Sequence, residues 1–140
     1  MKTLPMLLAI ILLAGCAHRN PYSGPFKIDA PRDKQELYGA YHDAVNRLGQ
    51  THKGGTVKVR FLPGKYPSNA PGWLGRPIAH FDGIALGYYN LASRNITIYT
   101  TNGRWRYETA RWEFGRAILH SRGLKDWNEQ ARIMERKGFR

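Results

Sequence analysis

The order of local sequence patterns predicts an α+β fold: one helix, then three strands, then two further helices. Apolar residues recur at spacings of three and four in residues 33–49 and again after residue 105, as they do in amphipathic helices. Between these regions, short apolar or alternating segments are typical of strands. A chain of 140 residues can form one modest core, so we predict a single small domain over residues 33–140.

The first predicted helix begins after Asp33, and Glu36 stands at its third position. This spacing predicts that the two side chains cap the first turn reciprocally. Gly49 is placed to end the helix. The apolar face is predicted to consist of Leu37, Ala40, Tyr41, Ala44, Val45 and Leu48.

The middle of the chain predicts three strands in an antiparallel or mixed sheet. Apolar and basic residues alternate over residues 57–61, which indicates a strand with one buried and one exposed face. Residues 64–80 are rich in proline and glycine and predict a long loop. Residues 83–90 and 95–100 predict two strands that pair as a hairpin beside the first, with residues 91–94 as the turn.

Two helices are predicted after the strands. One covers residues 105–122 and ends at Gly123. The other begins at Asp126, with Glu129 at its third position, and ends at Gly138. The first of these helices has a predicted buried stripe formed by Tyr107, Ala110, Phe114, Ala117, Ile118 and Ser121.

Residues 1–15 have the features of a secretory signal peptide. A single basic residue precedes an apolar run that is about half the ~20 residues needed to span a bilayer. The sequence Leu13-Ala14-Gly15-Cys16 resembles the lipobox of bacterial lipoproteins, in which the signal is cut before the cysteine and the cysteine is acylated. Cys16 is the only cysteine of the chain, and lipidation would use its thiol.

The lipobox resemblance implies a protein that acyl chains anchor in the cell envelope. Residues 16–32 are then the lipidated cysteine and a proline-rich tether. Ala17 follows the cysteine. By resemblance to Gram-negative lipoprotein sorting, this residue implies the outer membrane, with the domain facing the periplasm.

The charge of the chain predicts anionic partners. Lys and Arg number 22 against 10 Asp and Glu, a formal net charge of +12. In the envelope such partners are peptidoglycan, lipopolysaccharide or an acidic protein, and this location argues against nucleic acid. One segment places cations beside aromatic rings and is a possible binding surface, although a solvated basic face with ordinary core aromatics explains it equally. The surface residues are Arg104, Trp105, Arg106, Arg111 and Arg122.

Residues 111–120, RWEFGRAILH, bear most directly on activity. Together with the predicted order of elements over residues 33–136, they resemble the small zincin-type metallopeptidases. In that family an antiparallel or mixed sheet lies over a helix that bears an HExxH motif. The matching positions are Glu113, Gly115, Ala117, Ile118, Leu119 and His120.

In the zincins, two histidines at i and i+4 bind zinc, and the glutamate beside the first accepts a proton from the zinc-bound water. Here Trp112 and Arg116 occupy the histidine positions. An indole nitrogen has no free lone pair, and a guanidinium repels a dication. We therefore predict no metal and no cofactor, with Glu113 left as the vestige of a catalytic base. Arg116 is expected to pair with Glu113 and to lie against the Trp112 indole.

These inferences predict a catalytically inactive, zincin-like domain that acts by binding. One alternative is an active zinc metallopeptidase of the envelope with unrecognised ligands; Glu129 and Glu135 lie where gluzincin-type enzymes place a third, acidic ligand. A second alternative is a surface lipoprotein encoded by a phage or prophage. A third is an unrelated amphipathic helix that contains EFG by chance.

Overall fold

The computed structural model describes residues 24–64, 80–81 and 84–140, and it confirms the α+β class. Within these residues, two helices pack on a four-stranded mixed sheet, a third helix packs on the second of them, and two short strands form a separate sheet. The helices are α1 (Lys34–Leu48), α2 (Tyr107–Ser121) and α3 (Trp127–Arg136). The strands are β1 (Lys27–Asp29), β2 (Thr56–Pro63), β3 (His80–Phe81), β4 (Ile84–Ala85), β5 (Gly87–Tyr89) and β6 (Ile96–Thr100).

The four-stranded sheet has the order β1-β2-β6-β5. Strands β1, β2 and β6 are parallel, and β5 is antiparallel to β6, with Tyr88 opposite Thr97. Because the three parallel strands point the same way, the domain has two distinct ends. We call the end where these strands finish the carboxyl end of the domain, and the end where they begin the amino end.

Strand β1 corrects both the prediction of three strands and the boundary of the predicted tether. It lies inside the segment 16–32, yet it pairs in parallel with β2, and Ile28 is only 4% exposed. The backbone N–H of Lys27 donates to the carbonyl of Gly55 at 3.0 Å. A three-residue strand is too short for its alternation to be recognised, so pairing with β2 determines it. Residues 16–23 of the predicted tether lie outside the described residues.

The predicted hairpin forms as β5 and β6, and β6 lies beside β2. At its turn, the side-chain oxygen of Asn90 accepts hydrogen bonds from the backbone N–H groups of Ala92 and Ser93. The segment 83–90, predicted as one strand, is divided at Leu86 into β4 and β5.

Helix α1 begins where predicted, but its predicted cap is wrong. Asp33 has φ 57°, in the left-handed region, and its side chain makes no hydrogen bond to the first turn. The carboxylate instead accepts hydrogen bonds from Arg32 at 2.7 Å and from the indole N–H of Trp105 at 2.9 Å. A capping side chain requires an extended backbone at this position, which Asp33 lacks. Gly49 ends the helix as predicted, with φ 70°.

Helices α1 and α2 lie side by side and run in the same direction, so both begin at the carboxyl end. A Cβ placed on Gly39 would lie 3.8 Å from the hydroxyl of Tyr107 at the start of α2. One turn further along both helices, Arg111 forms an ion pair with Asp43 at 3.1 Å. Helix α3 then runs back along α2 from Asp126, whose carboxylate caps its first turn as predicted.

Helix α2 is enclosed on all sides, so the prediction of a single buried stripe is wrong. Every residue of Thr109–Ser121 is buried except Arg111, which is half-buried. Tyr107, a predicted member of the stripe, is 39% exposed. Because the sheet, α1 and α3 each cover part of α2, the polar residues Glu113 and Arg116 also lie in the core.

No helix among the described residues is long and apolar enough to cross a membrane. The predicted signal peptide and Cys16 lie outside the described residues, as do residues 65–79 of the predicted loop.

Candidate functional site

The three diagnostic residues of the zincin-like motif lie in the core of the domain. Trp112 and Arg116 are each 1% exposed, and Glu113 is fully buried. Residues four apart share a helix face, so Trp112 and Arg116 both point towards α3 and the C-terminal residues. Glu113 directly follows Trp112 in the helix, so its side chain points in a different direction and faces β5.

Arg116 is held by α3. Its guanidinium carbon lies 3.7 Å from the ring centroid of Trp127 and 5.7 Å from that of Trp112. Its Nη1 donates hydrogen bonds to the Trp127 carbonyl at 2.9 Å and to the Oε1 atom of Gln130 at 3.0 Å. Burial lowers the pKa of Arg116 to about 10, and the nearby Glu113 opposes that shift. The group therefore stays a cation at neutral pH, enclosed between two indoles.

Trp127 and Gln130 are the site residues that the sequence predictions missed. Gln130 is fully buried and also donates to a backbone carbonyl of the α2–α3 turn at 2.7 Å. A signal for it exists, because Gln130 and Met134 are four residues apart and are both buried in α3. Glu129 and Glu135, the acidic residues considered as a third ligand, are half-buried and exposed respectively.

Glu113 lies against the start of β5. A Cβ placed on Gly87 would be 3.6 Å from the Cγ atom of Glu113 and 2.7 Å from a methyl group of Thr109. Neither carboxyl oxygen of Glu113 has a hydrogen bond of normal geometry to the described residues. Burial raises the pKa of Glu113 to about 8, and the charge of Arg116 and the backbone N–H of Tyr89 offset only part of that increase. Glu113 is therefore protonated at neutral pH.

The expected pair between Glu113 and Arg116 does not form. Among the described residues, Arg116 donates its hydrogen bonds to α3, and no ion pair joins it to Glu113. The two side chains leave the helix in different directions, towards α3 and towards β5. The expected contact of Arg116 with Trp112 is present, although Trp127 is the closer ring.

The side chains at this site cannot bind a metal ion as a zincin does. The indole of Trp112 and the guanidinium of Arg116 have only donors to offer. Among the described residues, no group of three or more His, Cys, Asp or Glu side chains is placed to hold a metal ion. The arrangement instead encloses a fixed positive charge and a neutral carboxyl group.

The five residues of the possible binding surface do not lie together. Arg104, Trp105 and Arg106 lie between β6 and α2 at the carboxyl end, and both arginines are exposed. Arg111 is half-buried and donates to Asp43 and to a backbone carbonyl near the C-terminus. Arg122 lies at the other end of α2, which is about 22 Å long at 1.5 Å per residue.

The amino end of the domain carries a second group of basic residues. Arg122 donates to the backbone and side chain of Thr51 at 2.9 and 3.0 Å. Burial, and then the charges of Arg94 and Lys125, lower the pKa of His120. The hydroxyl of Tyr89 lies 2.7 Å from the Nδ1 atom of His120.

His52 lies at the same end, and burial and nearby positive charges lower its pKa as well. Burial lowers its pKa to about 4, and the charges of Arg122 and His120 contribute in the same direction. His52 and His120 are therefore neutral at physiological pH, and the net positive charge of this end comes from lysine and arginine alone.

No protein-family model, curated protein or solved structure matches this chain. The fold and the site define the protein as a small α+β domain with a buried cation between two indoles.

Proposed function

We propose that this chain is a lipid-anchored lipoprotein of the bacterial cell envelope, whose domain binds an anionic envelope component and does not hydrolyse peptides. One observation above all supports the absence of hydrolysis. The Arg116 guanidinium is enclosed by Trp127 and Trp112, at a position where a zincin has a histidine. A permanent cation in that place repels a metal dication.

The state of Glu113 supports the same proposal. Peptide hydrolysis by a zinc enzyme needs three protein ligands for the metal and a base that can accept a proton from the zinc-bound water. Because burial holds the pKa of Glu113 at about 8, this carboxyl group already carries a proton at neutral pH. Trp112 and Arg116 thus cannot bind the metal, and Glu113 cannot accept the proton, that the activation of water requires.

The arrangement of the elements supports a zincin-like domain that has lost its activity. A mixed sheet lies beside α2, and Glu113 faces the antiparallel strand β5. In the zincins, an antiparallel or mixed sheet lies over the helix that bears the motif.

The partner is proposed from charge and location. A net charge of +12 attracts anionic surfaces, and peptidoglycan, lipopolysaccharide and acidic proteins are the ones that the envelope offers. In a Gram-negative cell the domain would face the periplasm from the outer membrane. Exposed Arg104 and Arg106 beside the half-buried Trp105 supply a local combination of cations and an aromatic ring for such a partner.

Metal analysis and a peptidase assay of the purified full chain test the absence of hydrolysis. We expect no stoichiometric zinc and no cleavage of casein, with or without added zinc. Stoichiometric zinc that chelation removes, together with cleavage that chelation abolishes, would instead establish the alternative of an active metallopeptidase with other ligands.

Labelling with a fatty-acid analogue tests the anchor. Cys16→Ser should abolish the label, whereas Ala17→Asp should keep the label and move the protein from the outer to the inner membrane. The second variant is the matched control, because it changes the neighbouring residue without removing the thiol. Label that persists in Cys16→Ser would contradict the lipoprotein assignment.

A further inference from the structure

We infer that the amino end of the domain docks on the anionic phospholipid headgroups of the membrane that holds the acyl chains. The surface involved, here called the amino-end surface, consists of Lys53, Arg94, Arg122 and Lys125. This inference rests on the proposed lipid anchor and adds an orientation to it.

The topology brings the amino-end surface together from three separate turns. Lys53 lies between α1 and β2, Arg94 lies between β5 and β6, and Arg122 and Lys125 lie between α2 and α3. Each of these connections returns the chain to the end where the parallel strands begin. Lys53, Arg122 and Lys125 are exposed, and Arg94 is half-buried. No local sequence pattern marks these four residues as neighbours.

Few acidic residues lie in the three turns of the amino end. In the three turns of the amino end, the one acidic residue is Asp126, whose carboxylate is already bonded to the first turn of α3 at 2.8 Å. At the carboxyl end, exposed basic residues are interleaved with acidic ones. Around the starts of α1 and α2 the basic residues are Arg32, Lys34, Arg104 and Arg106, and the acidic ones are Asp33, Glu36 and Glu108. Helix α3 ends on the same side with exposed Glu135, Arg136 and Lys137. In the three turns of the amino end, basic residues therefore outnumber acidic ones by four to one, and Glu129 follows in the first turn of α3.

The position where the chain enters the domain places the amino end next to the membrane. The carbonyl of Gly24 accepts a hydrogen bond from the N–H of Gly55 at 3.3 Å, just before β1 begins. The eight steps from Cys16 to Gly24 span at most about 28 Å. If the amino end faces the lipid, this length is ample. If the carboxyl end faced the lipid instead, Gly24 would lie roughly 22 Å from the membrane, which is the length of α2. The tether would then have to be nearly fully extended.

The chemistry of the partner follows from charge and distance. A lysine or arginine held near an anionic bilayer surface strengthens binding by about fivefold per residue at low ionic strength. The anchor keeps the amino-end surface at a high local concentration of headgroups, so even weak pairs are occupied. Phosphatidylglycerol supplies the negative charge, and phosphatidylcholine does not.

Lysine accessibility in vesicles tests the inference on the lipidated full chain. The protein is reconstituted in phosphatidylcholine vesicles or in an equal mixture of phosphatidylcholine and phosphatidylglycerol, and acetylation rates are read by mass spectrometry. We expect Lys53 and Lys125 to react several-fold more slowly on the anionic vesicles, and Lys34 at the carboxyl end to react equally on both. High salt should remove the protection.

Two matched variants test the role of charge. Arg122→Gln should restore part of the reactivity of Lys53 and Lys125. Lys137→Gln removes the same charge from an exposed position at the far end of α3, outside both proposed surfaces, and should not restore it. A melting curve confirms that both variants are folded. Adding inorganic phosphate to the neutral vesicles should give no protection, which separates a headgroup surface from a free phosphate site.

Two results would overturn the inference and leave the anchor intact. One is equal reactivity of Lys53 on both kinds of vesicle, and the other is protection of Lys34 in its place. Failure of the chain to stay with neutral vesicles at all would instead contradict the lipid anchor, which is part of the proposed function.

Discussion

The guanidinium carbon of Arg116 lies 3.7 Å from the ring centroid of Trp127, a residue of a different helix. This contact joins α2 to α3 in the core of the domain. A desolvated cation–π contact is worth about 2 kcal/mol, and hydrogen bonds from Arg116 to α3 add to it. Arg116 is thus a structural centre of the domain.

We expect Arg116→Lys to destabilise the domain by roughly 2–4 kcal/mol. An ammonium cannot lie against the indole of Trp127 and at the same time reach Gln130 in the planar geometry of a guanidinium, so buried acceptors lose their donor. Urea denaturation measures the loss. The control is Arg104→Lys at an exposed position, which should change the free energy of unfolding by at most about 0.5 kcal/mol. Equal effects of the two variants would contradict this role of Arg116.

Zinc binding should appear when three positions are changed together. Trp112→His with Arg116→His provides imidazoles at i and i+4, and Gln130→Glu provides a carboxylate where Oε1 now lies 3.0 Å from Arg116. We expect thermal stabilisation by added zinc in the triple variant and a smaller effect in the double histidine variant. A control with Trp112→His and Gln130→Glu keeps the cation at position 116 and should gain nothing. No gain in the triple variant would argue that the zincin resemblance is accidental.

The stability of the domain should depend on the titration of Glu113. The carboxyl group titrates near 4.5 when unperturbed and at about 8 in the folded protein, where burial disfavours the charge. Between these values the unfolded chain releases the proton and the folded chain keeps it. The contribution of Glu113 to stability is therefore intact below pH 4.5 and is lost progressively as the pH rises to 8.

Glu113→Gln removes this titration. Relative to the wild type, the variant should become more stable as the pH rises from 4.5 to 8, by on the order of 5 kcal/mol, with no further change above. Unfolding free energies measured at intervals across this range provide the test. The buried amide adds a constant offset that does not affect the slope. Parallel pH profiles for the two proteins would refute the raised pKa.

Two glycines inside helices should respond in opposite ways to alanine. Gly39→Ala should stabilise the domain by about 0.5–1 kcal/mol, because the new Cβ would lie 3.8 Å from its nearest neighbour and the helix loses a flexible residue. Gly115→Ala should destabilise it by about 1–3 kcal/mol, since the Cβ would lie 2.5 Å from the sulfur of Met134 and 2.7 Å from the ring of Phe139. Thermal unfolding of both variants measures the difference. Stabilisation by both would show that α3 and the C-terminal residues pack loosely on α2.

The predictions from sequence were accurate where the signal is local. The bounds of the helices followed from apolar spacing and from residues such as Gly49 and Asp126, whose geometry matches the expectation. The β5–β6 hairpin followed from two apolar segments around a turn. The predicted helix cap at Asp33 was wrong, because the indole N–H of Trp105, 72 residues away, donates a hydrogen bond to the Asp33 carboxylate.

The candidate site was predictable in its chemistry and not in its geometry. Residue types alone show that Trp112 and Arg116 cannot ligate a metal. Their burial, the direction of Glu113 and the part played by Gln130 depend on how α3 folds back over α2. The proposed anchor at Cys16 is a sequence prediction throughout, since that residue lies outside the described part of the chain.

Sequence patterns by themselves determined the α+β class, the three helices and the presence of two residues, Trp112 and Arg116, that cannot ligate a metal, because these depend on residue types and spacings along the chain. Only the tertiary structure decided that α2 is enclosed, that Arg116 of α2 donates its hydrogen bonds to α3, and that four cations from three turns share one end of the domain. Such relationships come from packing between residues distant in sequence, where the cost of burying a polar group and the partners available to it are set by the whole fold.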